Sequence, residues 1–199
     1  AAKLIPVPGS EPEEGESSLE GIDGPAWCEP DPMRQLKILR EITMTLASRP
    51  ELNVLLEMVL EGIHRGVGMD RTILALITPR RNLLKAKIVL GANRLRLQEF
   101  ELGVKPVNFF GRLMEGRDAV WVSTYDDPAL KGLMFGGIFE LIERAHFFAQ
   151  PVLFGGNPIG MFYADRHPSE RKLDTESFDS FKLFVQQANL GLSQIIKGR

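Results

Sequence analysis

Three histidines, a single cysteine and a few paired acids carry most of the chemistry open to this chain of 199 residues. Cys28 stands alone, so an internal disulfide and a cysteine-rich zinc site are both excluded. His64, His146 and His167 are widely separated and lack metal-ligand spacing, so no metal is expected. Haem would need an axial ligand in a deep apolar pocket. His146, just ahead of the strand beginning at Phe147, is the candidate; a hydrogen-bonded strand-end histidine is the simpler account. His64 falls late in a helix, where positive charge suits the C-terminal dipole, and His167-Pro168 reads as loop. Asp126-Asp127 lie in a Pro-containing loop, where paired acids serve turns and caps. Gly66-Val67-Gly68 lacks the lysine and spacing of a phosphate loop, and no Ser-His-Asp set assembles from local motifs. The expectation is no catalytic residue, no cofactor and no enzyme activity.

The elements that must position these residues follow from composition and period. Residues 1–31 are rich in Pro, Gly and acids, with eight acids against Lys3. Such a segment cannot bury enough apolar surface to offset chain entropy. It is expected to be an acidic arm or linker, anchored, where ordered, by Leu4, Ile5, Val7 and Trp27. The remaining 23 bases and 18 acids give the body, residues 32–199, a net charge of +5. No apolar run reaches the roughly 20 residues of a membrane span, and no secretory signal opens the chain. One cysteine and no signal imply a cytoplasmic setting without a membrane partner.

Asp31-Pro32 announces a helix with the narrow stripe Leu36, Leu39, Ile42 and Leu46. That spacing is closer to a coiled-coil seam than to a core-facing surface. A second helix over 51–65 carries a wider apolar set. The run Thr72–Ile77 predicts a central strand, and Leu84, Ala86, Ile88 and Leu90 predict one face of the next. Further strands are expected at 100–104, 119–122, 147–154 and 159–166, with short helices at 109–115 and 138–144 and a long one at 174–197. Gly155-Gly156-Asn157-Pro158 marks a hairpin, and Pro151 needs an edge or irregular position. Hairpins rather than βαβ crossovers give an α+β fold: a central antiparallel sheet of about six strands, terminal helices on one face and short helices on the other. Arg80, Arg81, Lys85, Lys87, Arg94 and Arg96 form a basic stretch without interleaved aromatics, read as a solvated face; no nucleic-acid partner is expected.

An ordered series of segments gives the chain a family likeness. It comprises Gly68-Met69-Asp70-Arg71, Phe110-Gly111-Arg112-Leu113, Phe148-Ala149-Gln150-Pro151-Val152, Pro158-Ile159-Gly160 and Met161-Phe162-Tyr163-Ala164-Asp165-Arg166, then an aromatic-rich last helix. Over roughly residues 36–196 the chain resembles a GAF domain. The Tyr-Ala-Asp-Arg ending and leading helix are also similar to GAF domains that follow an HDOD domain in bacterial signalling proteins. That likeness would make the arm an interdomain linker and the chain a piece of a longer protein. It implies a sensing or dimerising module of signal transduction. The bilin-attaching cysteine, the several cysteines of sulfoxide-reducing members and the Asn-Lys pair of cyclic-nucleotide binders are absent. The resemblance places a ligand pocket between the sheet and the short helices. Its matching residues are Phe109, Phe110, Arg112, Trp121, Ser123, Tyr125, Phe148, Gln150 and Tyr163. Arg112 there either meets an anionic ligand or pairs with Glu115 or Asp118, and Gln150 either reads a ligand edge or satisfies loop backbone. The alternative is a ligand-free homodimer built on Leu36, Leu39, Ile42, Leu46, Leu192 and Ile195 of the terminal helices.

Overall fold

In the computed structural model, which describes residues 27–48, 51–81, 83–104, 107–134, 137–143 and 145–197, Asp31 caps the first helix. Its carboxylate accepts from the Arg34 amide at 2.9 Å, and Pro32 opens α1, Pro32–Ala47. Leu4, Ile5 and Val7 lie outside the described residues, as does the Ile195 side chain; Trp27 is partly exposed. The second helix, α2, Leu52–Glu61, ends in one π-helical turn over Gly62–Gly66. A 3.6-residue period cannot announce such a turn.

Six strands follow: β1 (Arg71–Ile77), β2 (Leu83–Gly91), β3 (Glu101–Gly103), β4 (Val120–Val122), β5 (Phe147–Phe154) and β6 (Asn157–Asp165). They form one antiparallel sheet in the order β3-β2-β1-β6-β5-β4. The β5–β6 hairpin closes through Gly155 and Gly156 at φ +60° and +81°, positive values that a two-residue turn of matching twist demands. Beyond Ala149 the outer side of β5 has no strand partner among the described residues, and Pro151 sits there without breaking a ladder. The short helices are α3 (Arg94–Gln98), α4 (Phe109–Glu115), α5 (Pro128–Lys131) and α6 (Ile138–Ile142). Two of them, α3 and α5, are too short for periodicity to reveal. Asp127 caps α5 through the Ala129 amide at 2.8 Å, the structural role expected of the paired acids. The last helix is α7, Thr175–Lys197.

The sheet separates two apolar layers. Leu74, Phe148, Val152, Phe162 and Ala164 face α1, α2 and α7. Ile73, Ala75, Phe147, Ala149, Met161 and Tyr163 face the short helices. This is the α+β arrangement the hairpins imply. One face assignment changes: in β2, Leu84 and Ala86 enter the short-helix layer, whereas Ile88 and Leu90 enter the other. A bulge opposite Leu74/Ala75 inserts Lys87 into the register, and one extra residue turns every later side chain over.

The terminal-helix stripe also changes. Ile42 and Leu192 are fully buried in the chain's own core, with Leu39 and Leu46 packed against it. Helix α1 lies on α2 and the π turn, so most of the expected seam is used internally. Leu36 is exposed, as are Met33 and Met44.

Close approach of α2 and α7 depends on Gly62, where a Cβ would fall 2.2 Å from the buried Phe184 ring. Gly62→Ala is expected to cost about 1–3 kcal/mol by overpacking, read from urea unfolding. Gly103→Ala, which meets nothing within 4 Å, is the control and should leave the midpoint unchanged. Equal midpoints for all three proteins would refute this packing account.

Candidate functional site

Two dipeptides of the same composition stand at neighbouring strand ends: Asp70-Arg71 at the start of β1 and Asp165-Arg166 at the end of β6. The strands run antiparallel with Arg71 directly opposite Asp165, so each Arg meets the other segment. Arg71 is fully buried. Its Nε and Nη2 donate to the Asp165 carboxylate at 2.9 and 2.7 Å, and Nη2 also reaches the Ile142 carbonyl at 2.9 Å. Its Nη1 bonds Glu143. Tyr163 Oη and the His167 amide donate to the same Asp165 carboxylate at 2.6 and 2.9 Å.

Burial works against the charge of Arg71, but Asp165 and its hydrogen bonds outweigh it and raise the guanidinium pKa. Burial pushes the Asp165 carboxyl up as well, against the pull of Arg71. We assign the pair as ionised, because guanidinium does not lose its proton and four donor groups converge on one carboxylate. Burial, with the neighbouring Asp165 charge, holds the Tyr163 hydroxyl protonated well above its ordinary range.

Residues Asp70 and Arg166 make the second half of the lock, on the terminal-helix side. Buried Asp70 accepts from the Ser169 amide at 2.8 Å and from Arg171 Nη2 at 2.7 Å. Arg166 reaches the Gly68 and Val67 carbonyls, the Lys172 carbonyl and Ser177 Oγ at 2.9 Å. Arg171 further holds the Cys28 carbonyl at 2.7 Å and the Glu29 carboxylate at 3.0 Å. The loop between β6 and α7 is thereby tied to the segment leading into α1 and to the first turn of α7.

Above this lock lies a cleft of about 510 Å³. Trp121 and Ser123 line it from β4 and the residues after it, Glu143, Ala145 and His146 from the α6–β5 connection, and Arg166, His167 and Glu170 to Leu173 from the β6–α7 loop. Glu143 holds φ +55°, a left-handed conformation costly for a non-glycine residue. Arg71 and Arg96 bond its carboxylate and His167 Nε2 lies at 3.3 Å, which compensates that cost. Against the effect of burial, Arg71 chiefly, then His167 and Arg96, pull the Glu143 pKa below its ordinary value.

The residues matched to the expected pocket do not form one site. Phe109, Phe110 and Tyr163 are buried in the short-helix layer, their rings filling it with Phe147. Phe148 and Gln150 point to the opposite layer, because successive strand residues alternate faces. Arg112 lies exposed on α4. Only Trp121 and Ser123 reach the cleft; Tyr125 stands beside it, its ring tilted at 35° to that of His146 with centroids 5.9 Å apart, and is bonded to the Ala145 carbonyl. The indole N–H of Trp121 and Oε1 of Gln150 have no hydrogen-bond partner among the described residues. The cleft residues that sequence reasoning missed, Glu143, Arg166, His167 and 170–173, carry one legible signal: the repeated Asp-Arg pair at two strand ends.

His146 is exposed at the cleft and is not in a deep apolar pocket. The buried histidine is His64, whose Nδ1 donates to the Met69 carbonyl at 2.7 Å. Its Nε2 therefore faces Cys28 Sγ, at 3.8 Å, as an acceptor. Burial pushes the Cys28 thiol up and the His64 imidazole down, so both stay neutral, opposite to what a thiolate–imidazolium nucleophile needs. Among the described residues, no group of three His, Cys, Asp or Glu side chains is placed to hold a metal ion. None of the described helices is long and apolar enough to cross a membrane.

Several solved structures share this fold. A methyl-accepting chemotaxis protein fragment, residues 122 to 287, matches with TM-score 0.61 at 18% identity, over 83% of this chain and 98% of that one. The GAF domain of a phosphoenolpyruvate-protein phosphotransferase from Coxiella burnetii matches with TM-score 0.57 at 20% identity, over 78% and 91%. A phycocyanobilin-bound GAF domain from a cyanobacterial phytochrome matches with TM-score 0.62 at 16% identity, over 83% and 97%. No family model and no curated protein matches the chain. At these identities the likeness establishes the fold, which is GAF-like.

Removing one partner of a buried ion pair leaves the other uncompensated. Asp165→Ala is expected to lose about 3–5 kcal/mol of stability in urea unfolding. The apolar double replacement Arg71→Met/Asp165→Leu should recover most of that loss. A loss below about 1 kcal/mol, the value of an exposed pair, would show that the pair is not the lock described.

Proposed function

We propose that the chain is a non-catalytic regulatory domain of signal transduction that binds a small molecule in the cleft and passes the event to its terminal helices. The observation that carries this is the β6–α7 loop. It forms the cleft rim, while Arg171 holds Cys28 and Glu29 ahead of α1 and Arg166 holds Ser177 in α7. A ligand favouring one arrangement of that loop biases both helices by its differential affinity. The shared fold with domains from chemotaxis, phosphotransferase and phytochrome proteins supports a signalling role. The neutral Cys28–His64 pair argues against thiolate chemistry at that contact. A cytoplasmic, bacterial protein with an HDOD-type domain ahead of the acidic segment is the parent that the sequence resemblance favours.

A second reading, ligand-free homodimerisation, draws on exposed apolar side chains of the terminal helices: Met33, Leu36 and Met44 on α1, Leu183 and Leu190 on α7. Such surface is a candidate for pairing.

Arg171→Ala should speed amide exchange at residues 28–36 and at the first turn of α7, with the sheet unchanged. Exchange altered nowhere in those helices would remove the coupling from the proposal. Leu36→Lys/Leu190→Lys should halve the mass seen in light scattering of the wild-type dimer; an unchanged mass defeats the dimer reading.

A further inference from the structure

We propose that His64 is a proton-operated latch: acid releases residues 28–31 from the π turn and so frees the start of α1. This device is independent of any ligand in the cleft.

Residues 28–31 are clasped to the body along their whole length. The Asp31 amide donates to the Gly66 carbonyl at 2.8 Å, and Gln35 of α1 donates to the same carbonyl at 3.2 Å. Pro30 packs on Gly68, where a Cβ would fall 2.5 Å from the Pro30 nitrogen. Arg171 holds the Cys28 carbonyl and the Glu29 carboxylate. The Cys28 thiol closes the clasp on the His64 ring.

That ring is 9% exposed. Its Nδ1 is spent on the Met69 carbonyl, and Gly91 closes one edge, where a Cβ would fall 3.0 Å from His64 Cε1. Among the described residues, Nε2 has no hydrogen-bond partner besides Cys28 Sγ, 3.8 Å away. An imidazolium donates from both nitrogens, and sulfur is a weak acceptor. A proton on Nε2 is therefore poorly held while the clasp is shut, and finds water once it opens.

Neighbouring charges do not compensate. Glu61 of α2 is paired with Arg65 of the π turn at 2.9 Å, and Asp70, ahead of β1, with Arg171 of the β6–α7 loop at 2.7 Å. Asp31 is paired with Arg34 of α1 at 3.5 Å, and Glu29 with Arg171. Helix α7 meets the π turn through the Phe184 ring at Gly62. Burial thus dominates and pushes the His64 imidazole down. The shut state binds fewer protons than the open one. Its advantage is full above the range of a free imidazole, about pH 6.5, and is lost as pH falls below it.

The test follows hydrogen exchange of the Asp31 amide in the full chain, corrected for the intrinsic rate. Its opening should increase about tenfold between pH 7.5 and 5.5, the rise that one proton taken up by a free imidazole gives. Amides of the central strands should not change. His64→Asn keeps an N–H for the Met69 carbonyl and cannot titrate, so its opening should be flat over the same range. Equal Asp31 protection at both pH values overturns the latch. So does a pH dependence kept in His64→Asn, which would assign the response to the surrounding carboxylates. Titration of the His64 ring by NMR reads the same device without that variant. Its midpoint should lie below that of the chain unfolded in urea, and Cys28→Ala, which uncovers Nε2, should move it back toward the unfolded value. A midpoint equal to the unfolded one, or one that Cys28→Ala leaves in place, also overturns it.

Discussion

The cross-strand pair of Arg71 and Asp165 joins the middle of the sheet to everything at that end of it. It lies between β1 and β6, the two central strands, with neither side chain exposed. Attraction alone does not make a buried pair favourable, since two charges leave water to form it. Here most of the remaining valences are filled: Tyr163 and the His167 amide donate to the carboxylate, and Ile142 and Glu143 accept from the guanidinium.

From that pair outward the structure divides by parity. Odd-numbered positions of β6 near the lock enter the short-helix layer, and even-numbered ones meet α1, α2 and α7. The aromatic rings expected to wall a pocket therefore pack as core on two sides of one sheet. The cleft lies instead at the sheet's end, where strands stop and loops begin. Polar side chains can gather there because water satisfies what the protein leaves unpaired.

The β6–α7 loop links that space to the helices because its partners are far apart in sequence. His167 and Ser169 lend their amides to Asp165 and Asp70, and Arg166 and Arg171 reach over them. The loop is thus pinned from below by two strand ends and spans the starts of α1 and α7. Most of the α1 stripe is spent on the internal core, so helix position rather than helix pairing alone is what the core controls.

Local patterns in the sequence sufficed for the elements whose causes are local. Asp31-Pro32 determines where α1 begins, Gly155-Gly156 where the hairpin turns, and near-continuous apolar runs where β5 and β6 lie. Cysteine number settles disulfide chemistry by arithmetic. Other features depended on tertiary structure. The bulge at Lys87 reversed the face of half of β2, and two helices of four and five residues were too short to leave a period. Ile42 and Leu192 look the same in sequence whether they face a partner or their own core. Asp70-Arg71 and Asp165-Arg166 were visible as motifs, but only antiparallel pairing across 94 residues turns them into one lock. A charge says nothing of its partner until the chain has folded, because Coulomb attraction depends on distance in space and not along the sequence.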